Sequence, residues 1–265
     1  MKVLFLGDII GKPGRNAIER NLDQLRLKHE VDMVIANGEN SAGGIGISVK
    51  TCNSLLDMGI DVITTGNHVF KKREIYDLLD REYRLLKPAN YPPDTPGRGY
   101  NIYELQGLGG LKVGVINLCG RVFVENLDCP FRTVNRILEY MREETPVIIV
   151  DMHAEVTSEK VAMGWHLNGR VSAVLGTHTH IQTADERILP GDSTAYITDA
   201  GMVGPRDSVI GVKKENIIAR FLTGMPQKFT VAREDVWING VLIDIDGKSG
   251  KAESIERINI KTDGT

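Results

Sequence analysis

The chain has 265 residues, 42% hydrophobic and 25% charged, with a formal net charge of −3. Those values belong to a globular fold and exclude a disordered chain. The near-neutral charge excludes the basic footprint of a protein that wraps nucleic acid.

No stretch approaches the ~20 apolar residues of a membrane span, so no membrane insertion is expected. The apolar run before Gly7 is too short for a secretory core and reads as a buried strand. Cys52, Cys119 and Cys129 lack C-x-x-C spacing, which argues against a disulfide framework or a thiolate zinc site. A soluble, cytoplasmic protein is expected.

In chain order, "KVLFL" (2–6) reads as a strand, and Pro13 stands where a helix can begin. Ile18, Leu22 and Leu25 then recur at helical spacing. "VDMVIA" (31–36) is a second strand, Val49 to Met58 a second helix, "DVITT" (61–65) a third strand and "KKREIYDLLD" (71–80) a third helix. This rhythm marks a largely parallel sheet covered by helices. Residues 88–100, with four prolines and two glycines, form a loop. "YNIYEL" and "LKVGVINL" form a hairpin around "QGLGG". "TPVIIVDMHAE" (145–155) and "VSAVLGTHTH" (171–180) are strands running into polar ends, and 240–260 is a closing antiparallel pair. Without internal repeats or a linker, a single domain over 1–265 is expected.

Ligands of open α/β sheets bind beyond the carboxyl ends of the strands. The residues standing there are Asp8, then Asn37, Glu39 and Asn40, then Asn67 and His68, then His153, then His178 and His180. Each alone has an ordinary structural explanation, such as a helix cap for Asp8 or a turn for "NGEN". The conjunction is more telling. Four of the six histidines fall at strand ends, whereas His29 and His166 lie within helical patterns. If 176–180 continues its strand, His178 and His180 face the same side. Carboxylate, amide oxygen and imidazole without cysteine suit iron, manganese or zinc. So many candidate ligands are too many for one ion and suit two, with a carboxylate such as Glu39 able to bridge them, an arrangement suited to displacement at phosphorus.

"GDIIGKPGR", "ANGENSAGG", "TTGNHVF", "HAEVTSEK", "GTHTHIQTADERILPG" and "YITDAGMVGP" together resemble the YmdB-like branch of the calcineurin-like metallophosphoesterases over nearly the whole length. The resemblance implies a four-layer α/β sandwich of two mixed sheets flanked by helices. It also implies a dinuclear metal centre usually assigned as iron. Carried over position by position, Asp8, Asn40 and His180 would hold one metal. Asn67, His153 and His178 would hold the other, Glu39 would bridge, and His68 would be the proton donor. Where the broader superfamily has Asp-x-His after the first strand, this chain has Asp8-Ile9-Ile10, so the resemblance implies that one imidazole is missing and that Asn40 would fill its place. The implied activity is hydrolysis of phosphodiesters, with 2′,3′-cyclic nucleotides as the substrate class, by a metal-bridged hydroxide. The implied partners are a small-molecule phosphodiester, RNA-derived ones included, and further copies of the chain in a homo-oligomer.

The alternative from another class is a nucleotide-binding regulatory protein of the same fold without turnover. Its sequence support is thin. "GDIIGKPG" has three residues between Gly7 and Gly11 rather than four, and Pro13 where Ser or Thr should meet magnesium. "GGIGIS" (43–48) lacks the third glycine of a dinucleotide fingerprint. The loop at 88–100 and residues 199–207 are candidate walls of a substrate pocket. Arg206 there reads as a solvated loop arginine in preference to a phosphate ligand, and Trp165 as core or interface packing.

Overall fold

Strand β1 (Lys2–Leu6) sets the pattern of the fold. Its Leu4 and Leu6 enter one apolar cluster and its Val3 and Phe5 another, because successive strand side chains face opposite sides. In the computed structural model, which describes residues 1–191 and 193–262, two mixed sheets stack face to face. The first runs in the order β2 (Asp8–Ile9), β11 (Met202–Pro205), β12 (Val236–Ile245), β1, β3 (Met33–Asn37) and β4 (Val62–Thr64), with β13 (Ala252–Lys261) paired to β12. The second runs β5 (Tyr100–Leu105), β6 (Leu111–Cys119), β7 (Ile148–His153), β8 (Ala173–Thr177), β10 (Ala195–Ile197) and β9 (Arg187–Ile188).

Three apolar clusters define four layers. Helices α1 (Gly11–His29) and α2 (Val49–Asp57) lay Ile18, Leu22, Cys52 and Leu55 against the outer face of the first sheet. Helices α4 (Pro130–Glu144) and α5 (Thr157–Leu167) lay Val134, Leu138, Met163 and Leu167 against the outer face of the second. Between the sheets, Phe5 and Ile35 meet Val115, Ile149 and Leu175. The architecture is a four-layer α/β sandwich, as the sequence motifs imply. The short helix α3 (Tyr76–Arg81) adds Leu79 to the outer cluster of the first sheet, whereas α6 (Lys214–Thr223) contributes to none of the three clusters.

Local signals explain the boundaries. Ser48 opens α2 with a capping box: its hydroxyl accepts the Thr51 N–H at 3.1 Å and its own N–H donates to Thr51 Oγ1 at 2.9 Å. Pro130 occupies the first turn of α4, where its missing N–H costs nothing. The expected strands, the hairpin at 100–119 and the closing pair all form. The helix expected over 71–80 is shorter. Two 3₁₀ turns, Val69–Lys71 and Arg73–Ile75, precede α3, so the segment follows the loop leaving His68 before it settles into an α-helix. Helix α4 has no counterpart among the expected elements, although Val134, Ile137, Leu138 and Met141 carry its period. Trp165 is half-exposed on α5 and is not part of the core. Among the described residues, no helix is long and apolar enough to cross a membrane.

Candidate metal centre

Strand parity carries polar groups to the rim of the inter-sheet core. On β7, Ile149 lies between the sheets, so Asp151 and His153, two and four residues on, face the same way. The same count leads from Ile35 to Asn37 on β3, from Val62 to Thr64 on β4 and from Leu175 to Thr177 on β8. β1, β3 and β4 run parallel, as do β6, β7 and β8. Their carboxyl ends meet at one place, where the apolar filling becomes polar. The donors come from both facing sheets rather than from one sheet edge.

The eight residues that the sequence motifs assign to the centre all converge there. His153 Nε2 lies 3.1 Å from Glu39 Oε1, 3.2 Å from Asn67 Oδ1 and 3.0 Å from His178 Nδ1. On the other side, His180 Nε2 lies 3.6 Å from Asp8 Oδ1 and 3.2 Å from Asn40 Nδ2. Asn40 Nδ2 also reaches Glu39 Oε1 at 3.3 Å, so Glu39 stands between the two groups. His68 donates its backbone N–H to Glu39 Oε2 at 3.0 Å, and its Nδ1 lies 2.9 Å from Asn40 Oδ1. Asn40 thus turns its nitrogen toward His180, and serving as an oxygen ligand requires half a rotation of the amide.

The His178–His180 pair is not an extension of the strand. β8 ends at Thr177, and both histidines have left-handed backbones, with φ of 98° and 64°. That conformation is rare for side chains with a Cβ. It points His178 at His153 and His180 at Asp8. The His178 N–H donates to Asp8 Oδ2 at 3.0 Å, and His180 Nδ1 pairs with the Ile210 carbonyl at 2.9 Å.

The electrostatics are those of buried opposite charges. Burial works against ionised Asp8, but His180 and His153 outweigh it and hold the carboxyl below its usual range. Glu39 behaves in the same way beside His153 and His68. Burial also opposes a charged His180, yet Asp8 lifts it to about 9. His178 gains no such help: burial and the neighbouring His153 push it down to about 3.

The donor set fits cations. Asp8 Oδ1 is fully buried and has no hydrogen-bond partner, so a positive group must face it, whether the charged His180 ring at 3.6 Å or a cation that displaces its proton. Thr177 Oγ1 donates to Asp151 Oδ1 at 2.7 Å, so it accepts from His153 Nδ1 at 2.9 Å. Burial opposes a charged His153, but Glu39 outweighs it and raises the ring pKa, so Nε2 turns a lone pair toward the Glu39 and Asn67 oxygens only when it gives up that proton, as binding a cation requires. Glu39, His153 and His178 offer ligand atoms within 4.8 Å of one another. Burial holds the thiol of Cys119 well above its ordinary pKa, so the donors remain oxygen and nitrogen.

A sequence profile described as YmdB-like protein matches residues 4–258. This chain belongs to the YmdB-like family. A relative from Bacillus subtilis strain 168, named 2′,3′-cyclic-nucleotide 2′-phosphodiesterase, is 47% identical over 99% of this chain and 98% of its own. Two solved structures superpose with a TM-score of 0.91 each. One is a hypothetical protein from Thermus thermophilus, 41% identical and covering 98% of this chain and 99% of its own. The other is described as a novel phosphatase from Mycoplasma pneumoniae, 36% identical and covering 100% and 94%.

Several residues that shape the centre of this YmdB-like protein are missing from the sequence-derived set. Asp151 is fully buried and accepts from Thr64 Oγ1 at 2.5 Å, Thr177 Oγ1 at 2.7 Å and Asn37 Nδ2 at 3.2 Å. Burial pushes it up to about 6. A lone acid at an inward position of an apolar strand was the signal available for it. Asn37, a candidate donor at the strand end, instead supports Asp151. Glu155 Oε2 lies 3.1 Å from His178 Nε2, on the solvent side. Arg206 stacks on Trp237 at 4.5 Å, which assigns its charge to a ring instead of a phosphate.

Proposed function

We propose that this protein is a phosphodiesterase that hydrolyses 2′,3′-cyclic nucleotides at a centre of two metal ions. Asp8, Asn40 and His180 would hold one ion, Asn67, His153 and His178 the other, and Glu39 would be shared between them. Iron is the first candidate metal, with manganese and zinc compatible with the same donors. The observation that carries this reading is the buried, unpartnered Asp8 oxygen facing His180 beside a second cluster of oxygen and nitrogen donors. The name and 47% identity of the Bacillus subtilis relative support the substrate class.

Bound cations supply Lewis acidity, neutralising the phosphate oxygens and lowering the pKa of water. The chain's own residues do the rest. Asp151 and Thr177 fix the His153 tautomer, and the Glu39 and Asn40 contacts fix the His68 ring. His68 keeps a quarter of its side chain exposed and delivers a proton to the ribose oxygen as its bond to phosphorus breaks. Such general-acid help is worth about 10²–10⁴-fold. The exposed Ile218, Phe221 and Leu222 on α6 support assembly as a homo-oligomer, which light scattering would measure.

The test is element-resolved metal analysis of untagged protein purified anaerobically, with hydrolysis of 2′,3′-cyclic AMP and bis-p-nitrophenyl phosphate before and after chelation. Activity should vanish with the metal and return with manganese or iron. A fully metallated protein that binds nucleotide and turns none over would instead be a regulatory module.

A further inference from the structure

A cavity of about 210 Å³ opens directly beside the candidate centre. Its inner end is formed by Asn40, His68 and His180, and its walls by Ile10, Ile45, Ile210, Val212, Phe229 and Val231. We infer that this cavity is the subsite for the nucleobase of the substrate, which it reads by stacking and apolar burial. The inference rests on the phosphodiesterase reading above and adds where the base goes and what selects it.

Apart from Ile10, which follows β2, the walls come from two segments that supply no candidate ligand. One is "GGIGIS" (43–48), whose glycines at 43, 44 and 46 have positive φ. A Cβ on Gly44 would stand 2.5 Å from Val231 Cγ2, so glycine there lets the loop close against the opposite wall. The other is the excursion between β11 and β12. From it the Ile210 carbonyl meets His180 Nδ1 at 2.9 Å, so one residue both lines the cavity and orients a candidate ligand. Arg220 of α6 sits over the Phe229 ring at 5.1 Å and backs it.

The chemistry of the lining indicates the occupant. Its charged and amide side chains lie at the end shared with the candidate centre, where the phosphate belongs. Beyond them the side-chain walls are apolar, too dry for a second phosphate and suited to a flat aromatic group. Attached through a ribose, a base reaches the cavity while the phosphate stays with His68. Side chains without hydrogen-bonding groups cannot tell adenine from guanine. They favour purines over pyrimidines through larger stacked area.

The experiment compares steady-state kinetics on 2′,3′-cyclic AMP, 2′,3′-cyclic GMP, 2′,3′-cyclic CMP and methyl ribofuranoside 2,3-cyclic phosphate, which lacks a base. KM should be similar for the two purines, several-fold higher for cytidine, and about ten-fold higher or more without a base. Phe229→Ala should raise KM for 2′,3′-cyclic AMP about ten-fold with little change in kcat, and Phe229→Tyr should restore it. Phe229 is half-exposed, so its truncation leaves the fold intact. Equal KM values for the base-less analogue and the nucleotides would overturn the subsite while leaving the phosphodiesterase standing. Hydrolysis of none of the four by fully metallated protein would overturn both.

Discussion

Lys160 Nζ lies 2.7 Å from Asp199 Oδ2, and both side chains are buried. The same oxygen accepts the Thr179 N–H at 3.1 Å and its hydroxyl at 2.6 Å. Thr179 separates His178 from His180, so this ion pair holds the turn from which both rings project. Lys160 belongs to the buried face of α5 with Met163 and Leu167. Lys160→Met should leave Asp199 buried and unpaired, at a cost of about 3–5 kcal/mol in urea unfolding. Adding Asp199→Asn should recover part of that loss. Equal stability of wild type and Lys160→Met would contradict the clamp.

Gly66 has no room for a methyl group. A Cβ there would stand 2.1 Å from His153 Nε2 and 2.5 Å from Glu39 Oε2. Gly66→Ala, the smallest substitution available, should therefore displace the His153 ring and empty the centre. Circular dichroism should change little, while metal content and activity on 2′,3′-cyclic AMP fall together. Full metal occupancy in this variant would mean that His153 is not a ligand.

His68→Ala separates proton donation from metal binding. The expected result is a kcat lower by about 10²–10⁴-fold with unchanged metal stoichiometry, whereas Asn67→Ala and His178→Ala should lose metal as well. If His68→Ala strips the metal, His68 is a ligand and the donor must be sought elsewhere.

The Asp8–His180 pair predicts how pH acts on protein stripped by a chelator. Burial opposes a charged His180, but Asp8 raises it to about 9, above an unfolded value of about 6.5. The stabilisation is complete below about pH 6.5 and disappears as pH rises through about 9. Urea midpoints of stripped protein should fall across that window, and His180→Ala should flatten the fall. A cation requires neutral imidazole and displaces this proton. Manganese affinity should rise about ten-fold per pH unit between about pH 7 and 9, as read by chelator competition. A pH-independent affinity would place the metal away from His180.

The sequence by itself determined the strands and helices that lead into the site and the set of candidate donors, though not α4 or α6. Asp8, Glu39, Asn40, Asn67, His68 and His153 follow apolar runs whose direction sends their carboxyl-end loops to one side. That is local information, carried by periodicity and by turn residues. Tertiary structure decided which donors meet. The His178 N–H bonds to Asp8 across 170 positions, and Asn37 bonds to Asp151 across 114; stacking two sheets, rather than any local pattern, creates such contacts. The same stacking assigned Asp151, Lys160 and Asp199 their roles, because a buried charge is tolerated only where a partner from another element neutralises or hydrogen-bonds it. It also forced His178 and His180 out of the extended backbone their spacing implied. Each ring is pulled toward a different buried partner, and the surrounding contacts hold the strained turn in place.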